Sequence, residues 1–228
     1  MRLRIATYNV RGFRDGLEGV VEVIERLAPD LLLVQEGGSR RRLRSLAAAT
    51  GMEAAADPWS PGRRRVKNAV LARAPWRIVQ HRLHRFGESA RFYPRGALVA
   101  QAGRSGRRLW AISTHLGLSP AERGAHVREL TDLCTGLAGA PIVIGGDLNA
   151  TPDERAPAWL GDRYWDTWLM AGTGEGATFP AEDPTARIDY VFASTGLTVE
   201  AAAVGKAPDA SDHLPVIAEL VIEDAPGP

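Results

Sequence analysis

The chain has 228 residues, 45% of them hydrophobic and 24% charged, with 28 Lys and Arg against 27 Asp and Glu. This composition excludes a wholly disordered chain, and its near-neutral balance neither demands nor excludes a polyanionic partner. No stretch reaches the ~20 consecutive apolar residues of a membrane-spanning helix, and the single cysteine, Cys134, excludes an internal disulfide framework and a cysteine zinc cluster.

LRIATYNV reads as a strand from the start. The N-terminus lacks the apolar region and small-residue cleavage site of an export signal, so the cytoplasm is the expected compartment. Gly16 to Leu27 places Leu17, Val20, Val21, Ile24 and Leu27 at helical spacing, and Pro29 closes that helix. DLLLVQE is the next strand, and Ser39 is a plausible N-cap for a helix to Thr50. NAVLAR, RIVQHRL, GALVAQA and RLWAIST are further strands, rich in Val, Ile and Leu and bounded by turn residues. Ser119 then caps a helix with Pro120 at its first position, running to about Gly136 with Cys134 as a small core residue. PIVIGGD follows, then a stretch from Ala150 to Pro184 expected to hold loops and short helices, then ARIDYVFAS, LTVEAAAV and LPVIAEL. No linker or repeat interrupts this order, so one domain over residues 1–228 is expected, of α/β or α+β class with mixed sheets.

The strands end in polar residues. Asn9, Glu36, His115, and Asp147 with Asn149 each follow an apolar run; Asp189 starts one, and Asp212-His213 precedes the last. Taken singly, each also fits a turn or helix cap. Together they place Glu36, Asp147 and Asp212 beside apolar runs, where an unpaired buried carboxylate is costly. A hard divalent cation offsets that cost, and oxygen-only ligands favour magnesium or manganese over zinc. His213 can accept a proton from water with Asp189 orienting its ring, and His115 supplies a second acid–base group. His81, His84 and His126, in Arg-rich or helical contexts, read as surface residues. There is no Gly-x-Ser-x-Gly elbow and no P-loop.

TYNVRG (7–12), VQE (34–36), STHLG (113–117), GGDLNATP (145–152), RIDYVF (187–192) and SDHLPV (211–216) occur in the order found in the endonuclease/exonuclease/phosphatase superfamily, which the chain resembles from Thr7 to Val216. NAVLAR and PRGALVA also resemble strands of that family. The resemblance implies a four-layer α/β/β/α sandwich of two packed mixed sheets and a Mg²⁺-dependent phosphoesterase, with Mn²⁺ as the alternative. It makes Glu36 the principal metal ligand, helped by Asn9 and Asp212, and Asp147 with Asn149 the holders of the nucleophilic water and phosphate. Some family schemes make that aspartate the base or a second metal ligand. It makes His213 the base or a phosphate-binding group oriented by Asp189, and His115 a phosphate or leaving-group contact. A histidine at that last position is replaced in the apurinic-endonuclease branch, which argues against an abasic-site enzyme. Arg187 and Ser211 are expected as supports, and Arg11 and Arg95 as phosphate contacts.

The family includes nucleases, tyrosyl-DNA phosphodiesterases, sphingomyelinases and inositol polyphosphate phosphatases. Three arginine clusters are candidate phosphate contacts: Arg40 to Arg42 with Arg44, Arg63 to Arg65 with Lys67 and beside Trp59, and Arg104 with Arg107 and Arg108. Solvated faces are the alternative, since all the basic residues except Lys67 and Lys206 are arginine, a bias that also fits a GC-rich genome. Nucleic acid is therefore the first expected substrate and a small or lipid-headgroup phosphoester the second. A non-catalytic binding module is disfavoured because every expected acidic and histidine position is filled.

Overall fold

A computed structural model describes residues 1–58, 64–87, 89, 92–137, 139–207 and 209–223. The described chain runs β1 (Arg2–Asn9), α1 (Leu17–Leu27), β2 (Leu31–Gln35), α2 (Arg40–Ala49), β3 (Met52–Ala56), β4 (Ala69–Arg73) and β5 (Arg77–Arg85). It continues with β6 (Gly96–Arg104), β7 (Arg107–His115), α3 (Pro120–Thr135), β8 (Ile142–Asp147), α4 (Arg155–Gly161), β9 (Trp165–Asp166) and α5 (Thr167–Ala171). It closes with β10 (Asp189–Ala193), β11 (Leu197–Val204) and β12 (Val216–Ile222). The strands form two mixed six-stranded sheets, ordered β11-β12-β1-β2-β4-β3 and β5-β6-β7-β8-β10-β9.

Period-two alternation assigns each strand face to a layer. Leu3, Ile5, Leu31 and Leu33 of the first sheet meet Leu109, Ala111, Val143, Val191 and Ala193 of the second in a central core. The alternate residues of β1 and β2, including Ala6, Tyr8, Leu32 and Val34, face outward and pack with Val20, Ile24 and Leu27 of α1 and Leu43 and Leu46 of α2. Ile112, Ile144, Tyr190 and Phe192 face outward on the second sheet and pack with Val127, Leu130 and Cys134 of α3 and Leu160 of α4. The result is the α/β/β/α sandwich that the sequence resemblance implies. The Ser39 Oγ accepts the Arg42 amide, and Ser119 with Glu122 forms a reciprocal capping box on α3.

Two strands lay outside the sequence expectation. β3 is alanine-rich, with poor strand propensity, and forms because the edge of β4 accepts it while Met52 and Ala55 are buried. β9 is a two-residue strand on the edge of β10, too short to leave a periodic signal.

Two adjacent glycines let β8 sit between its neighbours. A Cβ on Gly145 would lie 2.6 Å from Leu33 Cδ1 in the opposite sheet, and one on Gly146 would lie 2.0 Å from the Thr114 carbonyl oxygen. The second clash is with backbone, which cannot rotate away. Gly146→Ala should therefore destabilise by about 1–3 kcal/mol or more, a Tm drop of roughly 2–12 °C for a chain of this size. An unchanged Tm in thermal unfolding would contradict this packing.

Candidate active site

The inter-sheet faces turn polar at one edge of the sandwich. Along β1 the inward series Leu3, Ile5, Thr7 ends in Asn9; along β7 the series Leu109, Ala111, Ser113 ends in His115. Asp147 continues Val143 and Gly145, while Asp189 begins the series that continues in Val191 and Ala193. Sheet register puts Gly96, His115, Asp147 and Asp189 on one rung of four adjacent strands. Asn9 pairs with Gln35 on the facing sheet, and Glu36 follows directly.

Asp147 is buried and held from several sides. Asn9 Nδ2 donates to its Oδ2 at 2.9 Å, and the Asn149 amide donates to its Oδ1 at 2.9 Å. His115 Nε2 lies 3.2 Å and His213 Nε2 3.8 Å from Oδ2. Burial works to raise the pKa of Asp147, but His115, His213 and the Asn149 amide outweigh it and hold the carboxyl below the usual range. Asn149 has a left-handed backbone (φ 49) and its side-chain amide donates to the Leu116 carbonyl at 3.1 Å. It thereby ties the loop after β8 to the loop after β7.

His213 makes the second half of the site. Its Nδ1 lies 2.9 Å from Asp189 Oδ2, an oxygen that also accepts the Thr178 hydroxyl at 2.7 Å. With Nδ1–H committed to Asp189, Nε2 is the atom that faces Asp147. Burial disfavours the imidazolium, but Asp189, then Asp147 and Asp212, outweigh burial and push His213 up to about 9. Phe179 packs on the ring at 4.9 Å between centroids. Ser211 Oγ donates to the Asn9 carbonyl at 2.7 Å, pinning the Ser211–His213 turn to the end of β1.

Arg95 and His115 form a further pair. Arg95 Nη1 donates to His115 Nδ1 at 2.8 Å, so the ring proton of His115 sits on Nε2, toward Asp147. Burial pulls the Arg95 guanidinium below its ordinary pKa, with Asp147, Glu36 and Glu122 holding it up.

Four expected residues are placed differently from this buried cluster. Glu36 is half-buried, has φ 51, and its carboxylate makes no hydrogen bond or ion pair with a described residue. Asp212 is about a third exposed and pairs with Arg11 Nε at 3.1 Å. Arg11 also reaches Asp15 at 3.3 Å, so its guanidinium is already committed to carboxylates. Arg187 is turned to Asp166 at 2.8 Å and lies over the Tyr190 ring, where it braces β10 against β9.

Oxygen donors for a hard cation occur in two places. Glu36 offers an unengaged carboxylate near the Asn9 end of β1. Asp147, Asp189 and His213 offer three ligand atoms within 4.8 Å of one another and form a possible metal site. Most of those atoms are hydrogen-bonded within the protein, though Asp189 Oδ1 is buried without a partner.

Sequence reasoning missed two parts of this site. Thr178, which fixes Asp189, comes from a glycine-rich loop with no pattern of its own. His126 is fully buried, not on the surface, because α3 turns it inward against Phe86. His84 is half-buried beside Glu129, whereas His81 is exposed.

Carboxylates, imidazoles and amides converge here on one edge of the sandwich in the manner of a phosphoesterase. The chain belongs to the endonuclease/exonuclease/phosphatase family, whose sequence pattern matches residues 6–213. Members of this family are phosphoesterase hydrolases, generally dependent on a divalent metal. Among solved structures, the fold is similar to the endonuclease/exonuclease/phosphatase from Bacteroides vulgatus (TM-score 0.84, 20% identity, covering 98% of this chain and 100% of that one). It is also similar to the mannosyl-6-phosphatase of Bacteroides thetaiotaomicron VPI-5482 (TM-score 0.81, 18% identity, 96% and 99% covered). A third similar structure is a humanized D. rerio TDP2 (TM-score 0.77, 18% identity, 96% and 99% covered). Among curated proteins no sequence match is found.

Proposed function

We propose that the chain is a divalent-metal-dependent phosphodiester hydrolase of one domain, with nucleic acid as its substrate. The observation that carries this reading is the 3.8 Å gap between His213 Nε2 and Asp147 Oδ2, with Asp189 fixing the far side of the imidazole. A water seated beside this pair, within hydrogen-bond reach of both atoms, would have a base on one side and a carboxylate acceptor on the other. Asn149 and Arg95 stand ready to bind the phosphoryl oxygens, and His115 Nε2–H to serve the phosphate or the leaving oxygen.

Glu36, with Asn9 and Asp212, would hold Mg²⁺, or Mn²⁺ in its place; the unengaged Glu36 carboxylate suits a hard cation better than the internally hydrogen-bonded Asp147–Asp189–His213 group. The cation would polarise a phosphoryl oxygen and, by offsetting the carboxylate charge that favours the His213 imidazolium, would bring that ring toward the neutral form a base requires. Ser211 and Thr178 act as props, the first for the His213 turn and the second for Asp189.

Charge around the site bears on the substrate. Beyond Glu36, between the loop after β1 and α2, a cavity of about 450 Å³ is lined by Arg14, Arg41, Arg42, Ser39 and Ser45, with no carboxylate. Such a surface favours a phosphodiester strand. Arg65, in contrast, is bonded to Asp57 and the Gly38 carbonyl, and Arg63 and Trp59 lie outside the described residues. Arg104, Arg107 and Arg108 sit at the other end of the β6–β7 hairpin, roughly 27 Å from His115 at strand rise. They are too far to touch the phosphate being cleaved.

One observation favours the second reading, a small phosphoester. Beside Asp212 a cavity of about 590 Å³ is lined by Asp15, Glu182, Asp209 and Asp212 against the single Arg11. That side repels a polyanion and suits an uncharged, hydroxyl-rich body. A hydrolysis panel separates the two: single- and double-stranded DNA, RNA, a 5′-phosphotyrosyl oligonucleotide, sphingomyelin, inositol phosphates and a sugar phosphate, each with Mg²⁺, Mn²⁺, Ca²⁺ or EDTA. The nucleic-acid reading expects cleavage of at least one oligonucleotide, with rates that fall as salt rises. Turnover confined to the small esters would replace it with the second reading.

Among the described residues no helix is long and apolar enough to cross a membrane.

A further inference from the structure

His126 is 0% exposed, yet both its ring nitrogens face polar partners. Nδ1 accepts the Gly117 amide at 3.1 Å, so the ring proton belongs on Nε2, which lies 3.4 Å from Ser89 Oγ. Ser89 Oγ accepts the Arg95 amide at 3.2 Å and lies 3.2 Å from the Phe86 carbonyl. The imidazole also stacks on Phe86, with ring centroids 4.6 Å apart.

These contacts close a circuit. Gly117 lies two residues beyond His115, and Arg95 donates to His115 Nδ1 at 2.8 Å. One ring on α3 therefore joins the two stretches of main chain that supply Arg95 and His115. Simple core filling does not account for the arrangement. An apolar side chain could pack on Phe86, but it would leave the buried Gly117 amide without its acceptor.

The geometry points to His126 as a positioning residue. It sets the Arg95–His115 pair and, through it, the aim of the His115 Nε2 proton at Asp147. This rests on the reading above that Arg95 and His115 serve the phosphate. His126 touches neither Asp147 nor Asp189, so its effect on chemistry runs through the two loops it joins.

The test compares His126→Phe, His126→Asn and Ser89→Ala. His126→Phe keeps the stack and removes the acceptor; kcat should fall about 10- to 100-fold, the scale of a misplaced catalytic group. KM and the apparent Mg²⁺ affinity should stay within about threefold. Asparagine carries an acceptor on Cγ, as Nδ1 is carried, and His126→Asn should recover most of kcat. Adding His126→Phe to Arg95→Ala should cost little more than Arg95→Ala alone, a coupling that mere loss of stability would not produce.

Should His126→Phe fail to fold, Ser89→Ala removes the same link from outside the core. It should lower kcat at least about threefold. A long-range ¹H–¹⁵N spectrum of the imidazoles gives a readout independent of activity. In the wild type, His126 and His115 should both carry the proton on Nε2, and in Ser89→Ala or His126→Phe the His115 signature should move toward a mixture of tautomers. An unchanged His115 spectrum, wild-type kcat in the folded variants, or equal losses with and without Arg95 would overturn the proposal. Absence of hydrolysis in the wild type, with the tautomers as stated, would instead overturn the functional reading and leave the positioning geometry standing.

Discussion

His213→Ala should lower kcat at least about 10²-fold at saturating Mg²⁺ or Mn²⁺, the lower end of what a general acid–base group contributes. The expectation follows from direction as well as distance. Nδ1 is tied to Asp189 at 2.9 Å, and that carboxylate is itself fixed by Thr178, so the ring cannot turn without breaking a buried hydrogen bond to a partner that cannot follow it. Nε2 is left aimed at Asp147, 3.8 Å away. Alanine removes the base and leaves the Asp147 carboxylate, Arg95 and His115 in place, so binding should suffer less than turnover. Asp189→Asn should also lose activity, because an amide can hold the wrong imidazole tautomer. The check is kcat of the purified, folded variant. A loss smaller than about threefold would remove His213 from the role of base.

Glu36→Gln should weaken apparent Mg²⁺ affinity on the order of 10²-fold, since even an outer partner of a metal ligand typically costs 10- to 100-fold. The substitution keeps size and removes charge. The Glu36 carboxylate makes no hydrogen bond or ion pair with a described residue and is only half-buried, so Tm should change little. Calorimetric titration with Mg²⁺ and activity at limiting Mg²⁺ should show the same shift. Wild-type affinity in both would move the cation to the Asp147, Asp189 and His213 group instead. The two substitutions separate the two roles: His213→Ala strikes turnover at saturating metal, whereas Glu36→Gln should be rescued in large part by more metal.

Most of the scaffold was legible because apolar alternation is a direct imprint of layering. Ten of the strands carry Val, Ile and Leu runs, which the two sheets bury except along most of β5 and β11, and the serine caps of α2 and α3 lie where the sequence puts them. β3 was not legible, since alanine and glutamate have no strand preference and the edge of β4 supplies the reason for pairing. At the site, the polar strand ends were visible as residues, and sheet register then places His115, Asp147 and Asp189 on one rung. Residues acting from outside the strands were harder to see. Thr178 and Ser89 come from irregular loops, where spacing carries no information. His126 lies on a helix whose apolar pattern is weak, so its inward side could not be read from periodicity. Arginine was the least informative residue of all. Arg65 and Arg187 are bound to carboxylates within the fold, and only contact geometry distinguishes them from Arg41, which is exposed.

The proposed function requires phosphodiester cleavage that depends on a divalent cation. The most direct measurement is release of p-nitrophenol from bis(p-nitrophenyl) phosphate, a diester that asks nothing of substrate specificity. Wild-type protein should turn it over with Mg²⁺ or Mn²⁺, lose that activity in excess EDTA and regain it when the cation is restored. No cleavage with either cation, or cleavage that EDTA leaves unchanged, would contradict the account.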